Sequence, residues 1–308
     1  MTDLEMIKDI ALNQDWKKIE FINKGWSKDK KFCLTDKTGR KFLLRVSSID
    51  EYDNKKMEFE KIAMVSKLGI LMSMPIDFGT FDDGNKVYSL LSWVDGEDAE
   101  ALLPKLSEEH QYKLGVKAGR ILQKMHTIAD KSDQKSWSER YKRKIKIVTE
   151  KYHNCSISIP NEEKIMRFIE NNLSYLDGRP KTFQHGDYHV GNLLITSHGE
   201  IGVIDFNRCS FGDPWEEYDR FVFTWNVSIP FAIGQIHGYF DNNVPDKFFR
   251  LMSLYNATLI ISSIPWAIPF GDAEIGTMLA NAEKMLNCYD GFEKYIPVWY
   301  KDPTNLKI

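Results

Sequence analysis

The stretch that decides how this chain is read runs His185-Gly186-Asp187-Tyr188-His189-Val190-Gly191-Asn192, continues through Leu193-Leu194-Ile195, and closes on Ile204-Asp205-Phe206. Two short apolar runs, 193–195 and 201–204, flank the polar turn Ser197-His198-Gly199-Glu200. That pattern predicts a hairpin, and a hairpin returns Asp205 to the side of Asn192. Asp187 is then a carboxylate able to orient an attacking hydroxyl and take its proton. Asn192 and Asp205 are hard oxygen donors of the kind that hold Mg2+. A base and a metal held against phosphates are the parts that phosphoryl transfer requires.

Away from this segment the chain has a different character on each side. Between 16 and 93, apolar-rich runs are separated by turn chemistry such as Asp36-Lys37-Thr38-Gly39 and Asp82-Asp83-Gly84-Asn85. Strands are predicted at 19–24, 31–35, 41–46, 76–81 and 86–93. One helix, 50–68, interrupts them, with Met57, Ile62, Val65 and Leu68 near helical spacing. Thr2 and Glu5 form a capping-box pattern that opens a short helix before the strands. Beyond Trp93-Val94-Asp95-Gly96, residues 107–126 are amphipathic, with Leu114, Ala118, Ile121 and Met125 on one face. Further helices are expected at 136–152 and 161–175, and aromatic-rich helices from the 185–206 segment to about 287. A chain of 308 residues exceeds what one core usually serves. The expected fold is α+β and bilobal. A small antiparallel-sheet lobe spans 1–94, and a larger, mainly helical lobe spans 95–308 and carries the 185–206 segment. The hinge falls at about 92–96.

Composition narrows the partners. A net charge of −3 and a pI near 6.2 give no global attraction to nucleic acid or anionic membrane. Cys33, Cys155, Cys209 and Cys288 are widely spaced, without a C-x-x-C pair, and read as free thiols in a reducing cytosol. The start, MTDLEMIKDI, is a charged helix rather than a signal peptide. The apolar stretch 258–270, interrupted by Pro265 and Pro269, is too short to span a bilayer and reads as a buried helix end. The expectation is a cytoplasmic monomer or weak dimer that acts on a small molecule, without nucleic acid or membrane.

The H-G-D-x-x-x-x-N run with its following I-D-F resembles the catalytic loop and metal segment of the aminoglycoside phosphotransferases, small-molecule kinases of the protein-kinase-like superfamily. The resemblance extends over about 16–223. It implies that Asp187 is the catalytic base, Asn192 and Asp205 are Mg2+ ligands, His185 is structural, and ATP or GTP is the donor. In the strand Lys41-Phe42-Leu43-Leu44-Arg45-Val46, Arg45 stands where such kinases carry a phosphate-binding lysine. An arginine keeps its charge and grips phosphate with a planar fork, so it either substitutes for that lysine or alters the phosphate geometry. The cation's glutamate partner on the following helix is Glu58, with Glu60 the alternative. In Leu91-Ser92-Trp93-Val94-Asp95-Gly96, the resemblance implies that the Ser92 carbonyl and the Val94 amide meet the nucleobase. Gly25-Trp26-Ser27 falls where a reduced loop covers the phosphates through Ser27. Lys24, Lys28, Lys30 and Lys31 either help to hold the polyphosphate or form a solvated charge run.

The acceptor is less constrained. The 103 residues after Asp205 hold 8 Lys or Arg against 12 Asp or Glu, whereas the first 94 hold 16 against 15. An acidic wall of Asp213, Glu216, Glu217 and Asp219 suits the ammonium groups of an aminoglycoside or related amino sugar, and antibiotic resistance would follow. Asp213, in Asp213-Pro214-Trp215, also reads as a structural element of the superfamily. Aromatic residues from Trp215 to Trp266 read mostly as core. They leave open a pocket for a macrolide, or for a choline-like amine through cation–π contact. A pseudokinase that only binds nucleotide is the remaining alternative. A protein kinase is disfavoured, because the H-R-D arginine and an A-P-E segment are both missing.

Overall fold

The computed structural model describes residues 7, 10, 16–23, 28–132 and 135–303. The Thr2–Glu5 capping box, Lys24 and the Gly25-Trp26-Ser27 loop therefore lie outside the described residues. The chain forms two compact units. One comprises the described residues of Met1–Glu97 together with Asn192–Cys209, and the other those of Asp98–Gly191 and Ser210–Ile308.

In the first unit, strands β1 (Lys18–Ile22), β2 (Lys30–Thr35), β3 (Lys41–Ser48), β4 (Pro75–Phe81) and β5 (Lys86–Ser92) form one antiparallel sheet in the order β1-β2-β3-β5-β4. Strand alternation assigns its faces. Phe32, Leu34, Leu44, Val46 and Leu90 turn into a core shared with Ile7, Ile10, Phe81 and Tyr88. The intervening residues Lys31 and Arg45 share the opposite face, directly across from each other in register. Helix α1 (Tyr52–Val65) follows β3, and its Phe59 packs on Phe78 of β4.

The predicted hairpin is present. Leu193–Ile195 pairs antiparallel with Ile201–Val203, in the register Leu193↔Val203. Its second strand bonds to the segment before β4: Val203 N donates to Leu71 O (2.9 Å), and Ser73 N donates to Val203 O (3.3 Å). Lys61 Nζ of α1 reaches the Cys209 carbonyl at 3.2 Å. These bonds place the 192–209 segment in the first unit, although the sequence division at 94/95 assigned it to the second lobe.

The second unit is mainly helical: α2 (Glu108–Met125), α3 (Trp137–His153), α4 (Glu162–Asn172), α5 (Ile229–Tyr239), α6 (Asp246–Ala267) and α7 (Asp272–Cys288). Ser136 and Glu139 form a reciprocal capping box at the start of α3. The apolar stretch 258–270 belongs to a longer element than the sequence indicated. Asp246–Phe270 is long and apolar enough to cross a membrane, yet 72% of its most apolar window is buried inside the protein. Helix α6 is a core helix of this unit.

Helices α2 and α5 meet through paired glycines that the sequence reading missed. A Cβ on Gly115 or Gly119 would lie 2.1 Å from the carbonyl oxygen of Phe231 or Gln235, and one on Gly234 or Gly238 would lie 2.2 Å from that of Tyr112 or Val116. Backbone lies against backbone at all four positions, so no flexible side chain can give way. Gly119→Ala is expected to destabilise the protein by about 2–3 kcal/mol or more, as overpacking against backbone does. The shift of the urea unfolding midpoint measures it.

Candidate functional site

The first unit's candidate residues gather around Arg45. Its position on the sheet face away from the apolar core brings a guanidinium, only 3% exposed, among three carboxylates. Nε and Nη2 both donate to Asp29 Oδ2, at 3.1 and 2.7 Å. Nη1 donates to Asp205 Oδ1 at 3.1 Å and lies 3.6 Å from Glu58 Oε1. Glu58 is therefore the helix glutamate that faces Arg45, while Glu60 is exposed. Lys55, three residues before Glu58 on α1, joins the same network through Asp29 (2.7 Å) and Glu58 (3.2 Å). Lys31 lies 3.7 Å from Asp205 Oδ2. Ser47 Oγ, two residues after Arg45, donates to Asp29 Oδ1 at 2.7 Å. Burial alone would raise the Asp29 carboxyl, but Arg45, Lys55 and Ser47 outweigh it and hold the group down at about 2.

The hairpin sets Asp205. Ile204 N donates to Asn192 O at 3.1 Å, which joins the chain on either side of the two strands and makes Asn192 and Asp205 near neighbours. Asp205 has φ +62°, a left-handed conformation that a non-glycine residue adopts at a cost of order 1 kcal/mol. Its carboxylate is 27% exposed. Asn192 and Asp205 supply an amide oxygen and a carboxylate, donors that suit a hard cation taking its remaining ligands from phosphate and water. Among the described residues, no group of three or more His, Cys, Asp or Glu forms a metal site by itself. Ser92 sits at the end of β5, where its N donates to Met74 O and its Oγ accepts from Met74 N, both at 2.8 Å. The Val94 side chain is buried against Gly202 of the hairpin.

The second unit's candidate residue is Asp187, carried on a loop. The His185 ring is fully buried, and its Nδ1 accepts from Asp187 N at 3.3 Å. Glu217 receives the two preceding amides: His185 N on Oε2 (2.7 Å) and Gly186 N on Oε1 (2.6 Å). Arg220 donates from Nη1 to the Gly186 carbonyl (2.9 Å) and brings Nε to 3.5 Å from Asp187 Oδ1, which His189 Nε2 also approaches at 3.5 Å. The Asp187 carboxylate is 18% exposed, so it is held in place while keeping an open side.

The acidic wall read from the sequence does not exist as an open surface. Asp213 is fully buried. It takes both arms of Arg179 (Nε and Nη2, each 2.7 Å), the Tyr255 hydroxyl at 2.5 Å and Trp215 N at 2.9 Å. Glu216 binds Lys144 (2.6 Å) and Gln184 (3.0 Å), and Glu217 is taken up by the loop amides. Burial pushes the Asp219 carboxyl up despite Arg220 and Lys144 nearby. Carboxylates with internal partners are not available to an amine-bearing acceptor.

Asp29 and Arg220 were missed as site residues, and Glu217 was read as part of an acceptor wall rather than as the anchor of the loop. Asp29 had a signal, an acid inside the lysine run 28–31. The loop roles of Glu217 and Arg220 had none, because their partners lie about 30 residues upstream.

A family model described as "Phosphotransferase enzyme family" matches residues 18–248. The gentamicin complex of APH(2")-IIa has a similar fold, with 14% identity, TM-score 0.67, and coverage of 92% of this chain and 97% of that one. Amicoumacin kinase hAmiN in complex with AMP-PNP, Ca2+ and Ami shows 15% identity and TM-score 0.64, covering 99% and 98%. ADP-bound aminoglycoside phosphotransferase APH(2")-Ib shows 16% and 0.64, covering 92% and 99%. No curated protein matches the sequence. At these identities the structures speak to the fold, which is the protein-kinase-like one.

The Asp29 carboxyl sits below its ordinary value of 3.8. Its ionised form therefore stabilises the folded state above that value, and the contribution fades as pH falls through about 2. Asp29→Asn is expected to lower the unfolding midpoint at about pH 7. The gap from the native protein should narrow as pH falls below about 4. Urea unfolding followed by tryptophan fluorescence across that range checks both.

Proposed function

Because this chain belongs to the phosphotransferase enzyme family, and so is an enzyme that transfers phosphoryl groups to an alcohol acceptor, we propose that it is a small-molecule kinase taking the γ-phosphoryl group of Mg2+–ATP or Mg2+–GTP. The observation that carries this reading is the pairing of Asn192 with Asp205 beside Arg45 on one hairpin and sheet face. Asn192 and Asp205 would hold Mg2+, which neutralises charge on the β- and γ-phosphates. Arg45, clamped by Asp29 and Glu58, places a permanent positive charge at the phosphate end. Asp187 accepts the proton of the attacking hydroxyl. Arg220 and His189 keep its carboxylate turned, while Glu217 fixes the loop backbone beneath it. The Ser92 carbonyl and the Val94 amide are assigned to the nucleobase. The Gly25-Trp26-Ser27 loop, with Ser27, is assigned to the phosphates.

For the acceptor we propose an aminoglycoside or related amine-bearing antibiotic. The gentamicin and amicoumacin enzymes of the same fold support that class. The 213–219 acids do not, and the recognising groups must lie elsewhere in the second unit.

Asp187→Asn is expected to cut phosphoryl transfer by two or more orders of magnitude, as loss of a general base does, with nucleotide affinity changed little. Transfer of labelled γ-phosphate, measured across a panel of aminoglycosides, macrolides and metabolite alcohols, tests this and identifies the acceptor. Asp205→Ala is expected to remove Mg2+-dependent turnover; an unchanged metal dependence would refute its role as a ligand.

A further inference from the structure

Asp213, Glu216 and Glu217 are committed to internal partners, so an amine-bearing acceptor needs a carboxylate from another part of the second unit. Glu100 has the required character. It lies on the short helix Ala99–Leu102, is exposed, and among the described residues has no hydrogen bond or ion pair. Its carboxylate borders the loop that carries Asp187. The point that a Cβ on Gly191 would occupy lies 3.8 Å from Glu100 Oε2, 2.8 Å from His189 Cε1 and 3.1 Å from His189 Nδ1. Any side chain at 191 would meet the imidazole, so glycine keeps a small cradle between that ring and a carboxylate. The His189 ring reaches from this cradle to Asp187. Its Nδ1 accepts from Gly191 N at 3.1 Å, which leaves the proton of the neutral ring on Nε2, 3.5 Å from Asp187 Oδ1. The ring also packs on the half-buried Phe223, with centroids 5.2 Å apart, which fixes it from the other side of the loop.

We propose that Glu100 is the specificity-determining carboxylate that receives a protonated amine of the acceptor, in the cradle that Gly191 leaves beside His189. A carboxylate without an internal partner is free to pair with an ammonium, whereas the buried acids of 213–219 would first have to abandon their own hydrogen bonds. One imidazole ring separates the cradle from Asp187, so the hydroxyl presented to Asp187 belongs to the same ring system as the amine held by Glu100. Because Glu100 is exposed, its attraction for the amine is screened by salt. This assignment rests on the reading of Asp187 as the base and of the acceptor as amine-bearing.

The test is phosphoryl transfer by the full-length protein and its Glu100→Gln, Glu100→Asp and Glu108→Gln variants. Kanamycin, gentamicin and glucosamine serve as amine-bearing probes, with glucose and glycerol as amine-free ones. Glu108 is an exposed acid in the first turn of α2, and its variant controls for overall charge. Thermal unfolding and the affinity for Mg2+–AMP-PNP are measured alongside. Glu100→Gln is expected to raise the KM of the amine-bearing acceptor about tenfold at low salt, the scale of one charge-assisted contact, with nucleotide affinity and unfolding temperature unchanged. The difference from the native chain should shrink at high salt. Glu100→Asp should keep part of the affinity, and Glu108→Gln should behave as the native chain. A native-like acceptor KM in Glu100→Gln overturns the assignment, as does an equal rise in Glu108→Gln. Transfer by the native chain to the amine-free probes alone also overturns it, while leaving the kinase reading in place. A native chain that binds no nucleotide and phosphorylates none of the probes overturns the functional reading itself.

Discussion

A single buried positive charge organises the first unit. The Arg45 guanidinium is withdrawn from water, and a charge so placed costs several kcal/mol unless its neighbours compensate it. Asp29, Glu58 and Asp205 do so, and each fixes a different piece of chain: the entry to β2, the helix α1, and the end of the 193–203 hairpin. Lys55 and Lys31 balance the extra negative charge, so that among the described residues three cations meet three carboxylates. The positive-φ backbone at Asp205 is tolerable because hairpin pairing on one side and Arg45 on the other leave the residue little choice.

The second unit solves the opposite problem, which is to keep a carboxylate available. Asp187 is surrounded by groups that hold it without covering it, whereas Asp213, Glu216 and Glu217 in the 213–219 segment are hydrogen-bonded to internal partners. Asp213 clamps Arg179 and Tyr255, and Glu217 ties down the loop amides. Removing one partner from such a buried, hydrogen-bonded pair costs about 3–5 kcal/mol, so these acids are part of the fold before they are part of any binding surface. An acceptor with ammonium groups must find its partners on other residues.

Much of this was legible in the residues. The 185–206 segment carried its own turn chemistry and spacing, and the hairpin formed with the register those apolar runs require. The five strands were legible from alternation and turns, and helix α2 from its apolar stripe. What could not be read depends on contacts distant in sequence. Counting acids after Asp205 could not distinguish a solvated wall from carboxylates buried on Arg179, Lys144 and the loop amides. The glycine pairs 115/119 and 234/238 are about 120 residues apart, and neither explains itself without the other. Arg45 looked like a substitution for lysine. Its constraint, Asp29, was one acid in a run of lysines read either as polyphosphate ligands or as a solvated charge run. The helix ending in 258–270 was underestimated because its N-terminal half mixes polar residues into a buried surface.

The Arg45–Asp205–Asn192 arrangement is the proposed seat of a metal-bound triphosphate. Calorimetric titration of the native chain with a non-hydrolysable nucleoside triphosphate, with and without Mg2+, addresses it most directly. Saturable binding at one site, strengthened by Mg2+, is the predicted result. Heats no larger than dilution at millimolar nucleotide with Mg2+ present would contradict it.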